Sequence, residues 1–217
     1  MNLEEVWRIR EEEIYPSVFG GASRGIFTLS EAIFQDHFKQ TDVDPRWLFL
    51  GLFEFAPTTE RPFWIYVTSG HSNPWNEAPD TCAPTEPSGT GVEFLLVTNE
   101  QGDWAIRQLL SLLAFDLLLR AGRYPGKPPL ADGDRIPLRN PINGDPACML
   151  RNILVSFAED TWPSFNLPSG TVRFLTLMGV SDAEISYAKT AGSGALITAL
   201  SAEGCYPVTD VRRQSLF

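Results

Sequence analysis

The sequence predicts an α+β domain with a mixed, mostly antiparallel sheet flanked by helices. Three observations predict it. Runs at residues 47–55, 63–69, 92–98, 149–158 and 171–178 are dense in aromatic and β-branched side chains and are bounded by Pro, Gly and Asn, as strands are. Residues 3–14 and 104–120 instead carry apolar side chains at helical spacing. The two kinds of segment follow one another without a regular βαβ rhythm, which argues against a doubly wound parallel sheet.

Taken in order, Leu3, Val6, Trp7 and Arg10 fall on one face of a first helix, which Tyr15-Pro16 and Gly20-Gly21 end. Residues 22–45 are the least patterned. Thr28 or Ser30 could cap a short helix through Phe38, and Asp42 to Pro45 has turn composition. The strand at 47–55 leads into a Pro-Thr-Thr-Glu-Arg-Pro turn and the strands at 63–69 and 92–98. Asp103 is placed to cap the next helix and Gly122 to stop it. That helix, 104–120, is apolar nearly all round, so it should be buried on more than one side. Residues 121–147 read as a long connector, with six Pro or Gly between Gly122 and Gly133. After the strands at 149–158 and 171–178, Ser181 and Glu184 have capping-box spacing and open a helix. Gly192 and Gly194 break it, a second helix runs to about Ala202, and 208–210 form a short terminal strand. The expected division is an N-terminal helical extension, 1–46, packed on a main domain, 47–217.

The charge is uneven. The chain carries a net −10, and residues 1–110, with 17 acids and 7 bases, account for all of it. Clustered Lys and Arg, on which phosphate binding depends, are missing from that half, so no nucleic-acid role is expected. The apolar run from 104 to 119 is broken by Arg107, Gln108, Ser111 and Asp116, so no membrane span is expected. Cys82, Cys148 and Cys205 are widely spaced and the charged N-terminus has no apolar leader. Both point to a reducing cytoplasm.

The most telling stretch is 62–106, which has no Lys or Arg but six carboxylates: Glu77, Asp80, Glu86, Glu93, Glu100 and Asp103. Its centre is a Pro- and Asn-rich loop between two strands. Glu77, Asp80 and Glu86 suit a cationic protein partner, with Trp75 either an aromatic anchor for that partner or a side chain folded down to pin its own loop. Catalytic patterns are weaker. Thr68-Ser69-Gly70-His71-Ser72 has the letters of a nucleophile elbow but not the order. His71 with Ser72 or Cys82 remains an alternative hydrolase pairing, and a structural subunit of a larger complex is a third reading. His71, Asp80, Cys82 and Glu86 match no compact metal motif. Gly89 and Gly91 lead into a strand rather than a helix, so they suit a bulge better than a phosphate cradle. No metal, cofactor or catalytic residue is expected.

The segments Pro87-Ser-Gly-Thr-Gly-Val-Glu-Phe94 and Pro207-Val-Thr-Asp-Val-Arg-Arg213 resemble the suppressor of fused family. So, in order, do the Tyr66–Ser72 turn, the acidic loop, the 104–120 helix, Gly133-Asp-Arg-Ile136 with Asn140-Pro141-Ile142, and Phe174 to Glu184. The resemblance covers about 47–217. It implies a non-enzymatic α+β protein-binding domain. In the eukaryotic relative such a domain helps hold an extended peptide of a zinc-finger transcription factor, added as a strand in a cleft between two lobes. The cleft's tyrosine and acidic positions fall near Trp75 and Glu86. His71 stands where the family turn has an apolar residue. The chain ends at Phe217, where that relative continues into its second lobe, so the single-domain bacterial members are the implied match. These are thought to be immunity proteins that neutralise polymorphic toxins, and a basic toxin would suit an acidic partner. Arg212 and Arg213 are expected to close onto nearby carboxylates or strand carbonyls.

Overall fold

A computed structural model describes residues 3–75 and 85–217. The chain begins with α1 (Leu3–Arg8), a π-helical stretch (Ile9–Ile14) and α2 (Tyr15–Phe19) in unbroken succession. The first helix therefore continues past Tyr15-Pro16, because Pro in a first helical turn forfeits no hydrogen bond. It stops at Gly20, whose φ of 84° is open to glycine. Residues 22–28, unassigned from the sequence, form strand β1 (Ala22–Thr28) at one sheet edge. A short helix over residues 31–38 follows, π-helical at Ile33–His37; it ends at Phe38 as expected, and Ser30 directly precedes it, its carbonyl accepting from Ile33 N at 3.1 Å.

The predicted strand at 47–55 is shorter than expected. Pro45–Phe49 winds into a 3-10 turn whose first N–H groups are capped by Asp44, and β2 (Gly51–Phe55) starts only at Gly51. Then come β3 (Trp64–Ser69), β4 (Pro87–Thr98), α3 (Asp103–Arg120), β5 (Arg135–Pro137), β6 (Leu150–Phe157), β7 (Phe165–Leu167), β8 (Gly170–Ser181), α4 (Asp182–Ala191), α5 (Ser193–Ala202) and β9 (Val208–Thr209). The 121–147 connector thus contains an edge strand, β5, too short to be read from sequence pattern.

The strands form one mixed sheet in the order β1-β2-β3-β4-β8-β6-β5. β4 runs parallel to β8 and to β9; the other pairings are antiparallel. Both faces are covered, which is why the strands read as continuous apolar runs rather than alternating ones. Tyr66, Phe94, Leu96, Leu175, Leu177, Ile153 and Val155 face α3. Their sequence neighbours Ile65, Val67, Leu95, Val97 and Phe174 pack against Tyr15 and Phe19 of the N-terminal helix, and Leu154 and Met178 pack against α4 and α5. This is the period-two alternation of a sheet buried twice.

Twelve of the eighteen residues of α3 are buried, as its all-round apolarity requires. Asp103, however, does not cap it. Gly102 takes the cap position, and the Asp103 carboxylate reaches Arg24 of β1 at 2.9 Å. Gly122, with φ of 69°, ends the helix as expected, and Arg123 N–H returns to Leu118 O. The capping box at α4 is present in both directions, from Ser181 Oγ and from the Glu184 side chain. Glu184 also takes the Arg213 guanidinium, whose Nη2 lies 2.7 Å from Oε2 and 3.2 Å from Gly179 O. Arg212 reaches Glu100 at 2.6 Å. Both arginines therefore close onto carboxylates, as the sequence led us to expect. No helix among the described residues is long and apolar enough to cross a membrane.

Candidate functional site at the β3–β4 loop

The acidic loop leaves the sheet between its two central strands. β3 ends at Ser69, and Gly70 to Asn73 make a tight turn beneath the loop. The turn is built around the Glu93 carboxylate on β4, which is wholly buried. Its Oε1 accepts from Gly70 N at 3.1 Å, Ser72 N at 2.9 Å and Ser72 Oγ at 2.6 Å; its Oε2 accepts from Thr68 Oγ1 at 2.6 Å. Arg10, also fully buried, lies 3.6 Å from Glu93 and supplies the opposite charge. It donates to Ser69 Oγ at 2.9 Å, Ser72 Oγ at 3.2 Å and Asn73 Oδ1 at 2.9 Å. Trp7 Nε1 donates to the same Asn73 oxygen at 3.0 Å, and Tyr15 OH donates to Thr68 O at 2.5 Å. Burial, with the Glu93 charge nearby, pushes the Tyr15 hydroxyl pKa well up, so it acts here only as a donor. The N-terminal helix thus holds the near root of the loop through Trp7, Arg10, Tyr15 and Glu11, whose carboxylate accepts from Ser69 Oγ.

The far root is held by one backbone bond and one side-chain bond. Glu86 O accepts from Thr171 N at 2.8 Å, and Ser88 Oγ donates to Ser72 O at 2.8 Å. The strand is irregular between Pro87 and Val92, which is the bulge expected of Gly89 and Gly91. Gly89 sits at φ +55°, where a Cβ would come within 2.4 Å of Asn73 O. Gly89→Ala should therefore lower stability by on the order of 2–3 kcal/mol, through left-handed strain and the clash together. A thermal melt indistinguishable from that of the parent would show that the two roots are not in contact.

The predicted site residues distribute unevenly. Trp75 is half-buried and packs against the α3-side core, while Glu86 is exposed. Glu77, Asp80 and Cys82 lie outside the described residues. The remaining acids of the base-free stretch are not part of an open acidic face. Glu93 is internal, Glu100 is paired with Arg212, and Asp103 with Arg24. Sequence reasoning missed a neighbouring feature. Phe49, 61% exposed, stacks on Trp7 with ring centroids 6.5 Å apart, making an aromatic ledge beside the turn that carries the loop. The only sequence signal for it was a Trp-Leu-Phe run that read as strand.

The pairing of His71 with Ser72 is not assembled; Cys82, the other candidate partner, lies outside the described residues. Ser72 Oγ is buried and spends its proton on Glu93. The His71 side chain is wholly buried and turns away from Ser72, with Nδ1 3.0 Å from Thr90 Oγ1 and Nε2 3.0 Å from Asp116 Oδ2. The Nε2 contact is not aligned as a hydrogen bond. Burial first, then the Arg120 and Arg10 charges, lower the His71 pKa to about 3, so the ring is neutral. Thr90 donates its own proton to His71 O at 2.8 Å. Asp116 is fixed by Arg120 Nε and Leu130 N, each at 2.6 Å, and burial raises its pKa despite Arg120. The His71 ring lies 4.9 Å from Phe94, filling a core position that would suit an apolar side chain. Among the described residues no three His, Cys, Asp or Glu converge as metal ligands would.

Among curated proteins, none matches this sequence. Solved structures do. A crystal structure of the Sufu–Fu complex superposes with a TM-score of 0.65 at 18% identity, covering 95% of this chain and 88% of that one. A suppressor of fused homologue from Neisseria gonorrhoeae gives 0.60 at 18% identity over 96% of both chains. Drosophila Suppressor of Fused gives 0.58 at 21% identity over 77% of this chain; the match spans 42% of the Drosophila chain. At these identities the likeness establishes the fold. The sequence profile of the Suppressor of fused protein family matches residues 48–214, most of the chain, and on that match the chain belongs to the suppressor of fused (SUFU) family.

Proposed function

We propose that this chain is a non-enzymatic protein-binding module that presents the β3–β4 loop, with Trp75, Glu77, Asp80 and Glu86, to a basic protein partner. The observation that carries the reading is that a stretch without a single Lys or Arg is anchored at both roots, by Arg10 and Trp7 on one side and by the Glu86–Thr171 backbone bond on the other. Fixed roots bring the two ends of the loop together before a partner arrives, so binding need not supply that closure. The Trp7–Phe49 ledge beside it supplies the aromatic surface on which binding energy usually concentrates. A relative crystallised as the Sufu–Fu complex supports a protein partner. The partner we infer is a toxin, neutralised in the cytoplasm by an immunity-type protein. The loop's charge favours a partner with a basic nucleic-acid site.

The test has two stages. A tagged chain captures partners from its native host at low salt, and these are eluted with rising salt. Association of the captured protein is then timed against the triple variant Glu77→Gln, Asp80→Asn, Glu86→Gln. Losing three steering charges should slow association by about tenfold at low salt and flatten its salt dependence. Trp75→Ala and Phe49→Ala should instead speed dissociation. Unchanged rates in the triple variant would refute the acidic loop as the interface. Failure of the captured protein to show toxicity relieved by this chain would refute the immunity role alone.

A further inference from the structure

A second surface, away from the acidic loop, has the opposite character. A groove of about 560 Å3 runs between α3 and the edge strand β5. Its floor is apolar. Phe38 stacks on Phe115 at 6.1 Å, Phe115 meets Tyr124 at 5.6 Å, and Leu112, Ile136 and Leu138 complete it. Its rim carries Arg107, from α3, and Arg139, just beyond β5. Both are exposed, and neither has a hydrogen-bond or ion-pair partner among the described residues. No Asp or Glu lines the groove.

That is unusual for this chain. Most other arginines at the surface are paired, the exposed Arg8 with Glu13, Arg123 with Asp42 and Arg212 with Glu100, and the half-buried Arg24 with Asp103 and Arg173 with Glu159; half-buried Arg151 is an exception. The overall charge of −10 should repel an acidic ligand, yet residues 107–139 hold six bases and three acids, and one of those acids, Asp116, is buried. Arg107, Ser111 and Phe115 are spaced four apart, so one helix face presents charge, a small gap and an aromatic ring in line. The β5 edge gives no encouragement to strand addition, because Pro137 has no N–H to donate. The chemistry on offer is a pair of guanidiniums over an open aromatic floor.

We propose that this groove is a second docking surface, which takes an acidic protein segment bearing an aromatic or aliphatic side chain between carboxylates. The apolar side chain sits on Phe115 and Leu112, and the flanking carboxylates pair with Arg107 and Arg139. The groove is half-open rather than enclosed, which suits a peptide segment laid across it better than a small molecule buried on all sides. The surface is independent of the acidic loop and of the partner proposed for it.

The test uses the full chain labelled with 15N and the peptide acetyl-Glu-Asp-Phe-Glu-Leu-Asp-Glu-amide, followed by amide shift changes at low salt. Saturable shifts at Arg107, Ser111, Ile136 and Leu138 are expected. They should weaken by about tenfold or more in Arg107→Gln/Arg139→Gln, which alters only exposed side chains, and with a control peptide carrying Gln and Asn for Glu and Asp. The variant with Glu77, Asp80 and Glu86 neutralised should bind the peptide as the parent does, which separates this site from the loop. Absence of shifts in the groove, or equal binding by the double Arg variant or the uncharged peptide, overturns the proposal. So does saturation of these residues by benzoate with none by the peptide, which would mark a small-molecule pocket.

Discussion

Replacing Arg10 by Met should destabilise the protein by about 3–5 kcal/mol, the cost of breaking a buried ion pair from one side. The reason is the neighbour left behind. Glu93 is wholly buried, and Arg10 is its counter-charge at 3.6 Å. Without the guanidinium the carboxylate keeps its four neutral donors but no cation, while Ser69, Ser72 and Asn73 lose a donor each. Glu93→Ala should be at least as harmful, since it strands Gly70 N, Ser72 N, Ser72 Oγ and Thr68 Oγ1 as well as Arg10. An apolar pair at both positions should not rescue the fold, because those four donors would still lack an acceptor. Urea unfolding of the single and double variants measures this directly. An Arg10→Met protein within about 1 kcal/mol of the parent would mean the buried charge is solvated in solution.

The second large effect is a response to acid. The His71 pKa is lowered to about 3 by burial, against an ordinary value near 6.5 in the unfolded chain. Between those values the unfolded state binds the extra proton. The stability His71 contributes is therefore fully present above about pH 6.5 and falls as pH drops toward 3. Over pH 6.5 to 5 the loss should be about 2 kcal/mol at 1.36 kcal/mol per unit. Asp116, whose pKa is raised, acts in the opposite direction, gaining as pH falls. Glu54 and Glu184, whose pKa values are lowered, lose their contribution only below the ordinary glutamate range. The clean comparison is with His71→Leu, which should lack the pH 6.5 to 5 decline. Parallel stability curves for the two proteins would show that His71 is protonated in the fold.

These two residues also mark the boundary of what could be read from the letters. Segments whose burial is all-round or strictly periodic were legible: α3, β3, the capping box at Ser181, and the arginines that close onto Glu184 and Glu100. Local chemistry sufficed there. Arg10 sat in the periodic face of its helix beside Val6 and Trp7, yet nothing nearby in sequence shows that its partner lies 83 residues away on β4. Strand β1 escaped for the converse reason. Most of its residues are exposed, so it has no apolar pattern, and its pairing with β2 is all that defines it. Asp103 is a fair helix cap by composition but is claimed by Arg24, a long-range competitor. The likeness to a known family located the loop between β3 and β4. It did not reveal that half the acids nearby are spent internally, nor the ledge formed by Phe49 and Trp7.

The pairing of β4 bears on how the chain is made. This central strand lies beside β3 along one edge, while its other edge is shared between β8 and, at Val97 and Thr98, the late strand β9. Thr209 then accepts Gly179 N, and Arg213 locks onto Glu184. The middle of the sheet is therefore finished by residues that follow β4 by more than a hundred positions. Until they arrive, a strand of consecutive Phe, Leu, Leu and Val keeps part of its ladder open. Parallel pairing between distant segments is slow to form and prone to the wrong partner. Nascent chains of this protein should accordingly depend on chaperone cover until β9 has emerged and paired with β4.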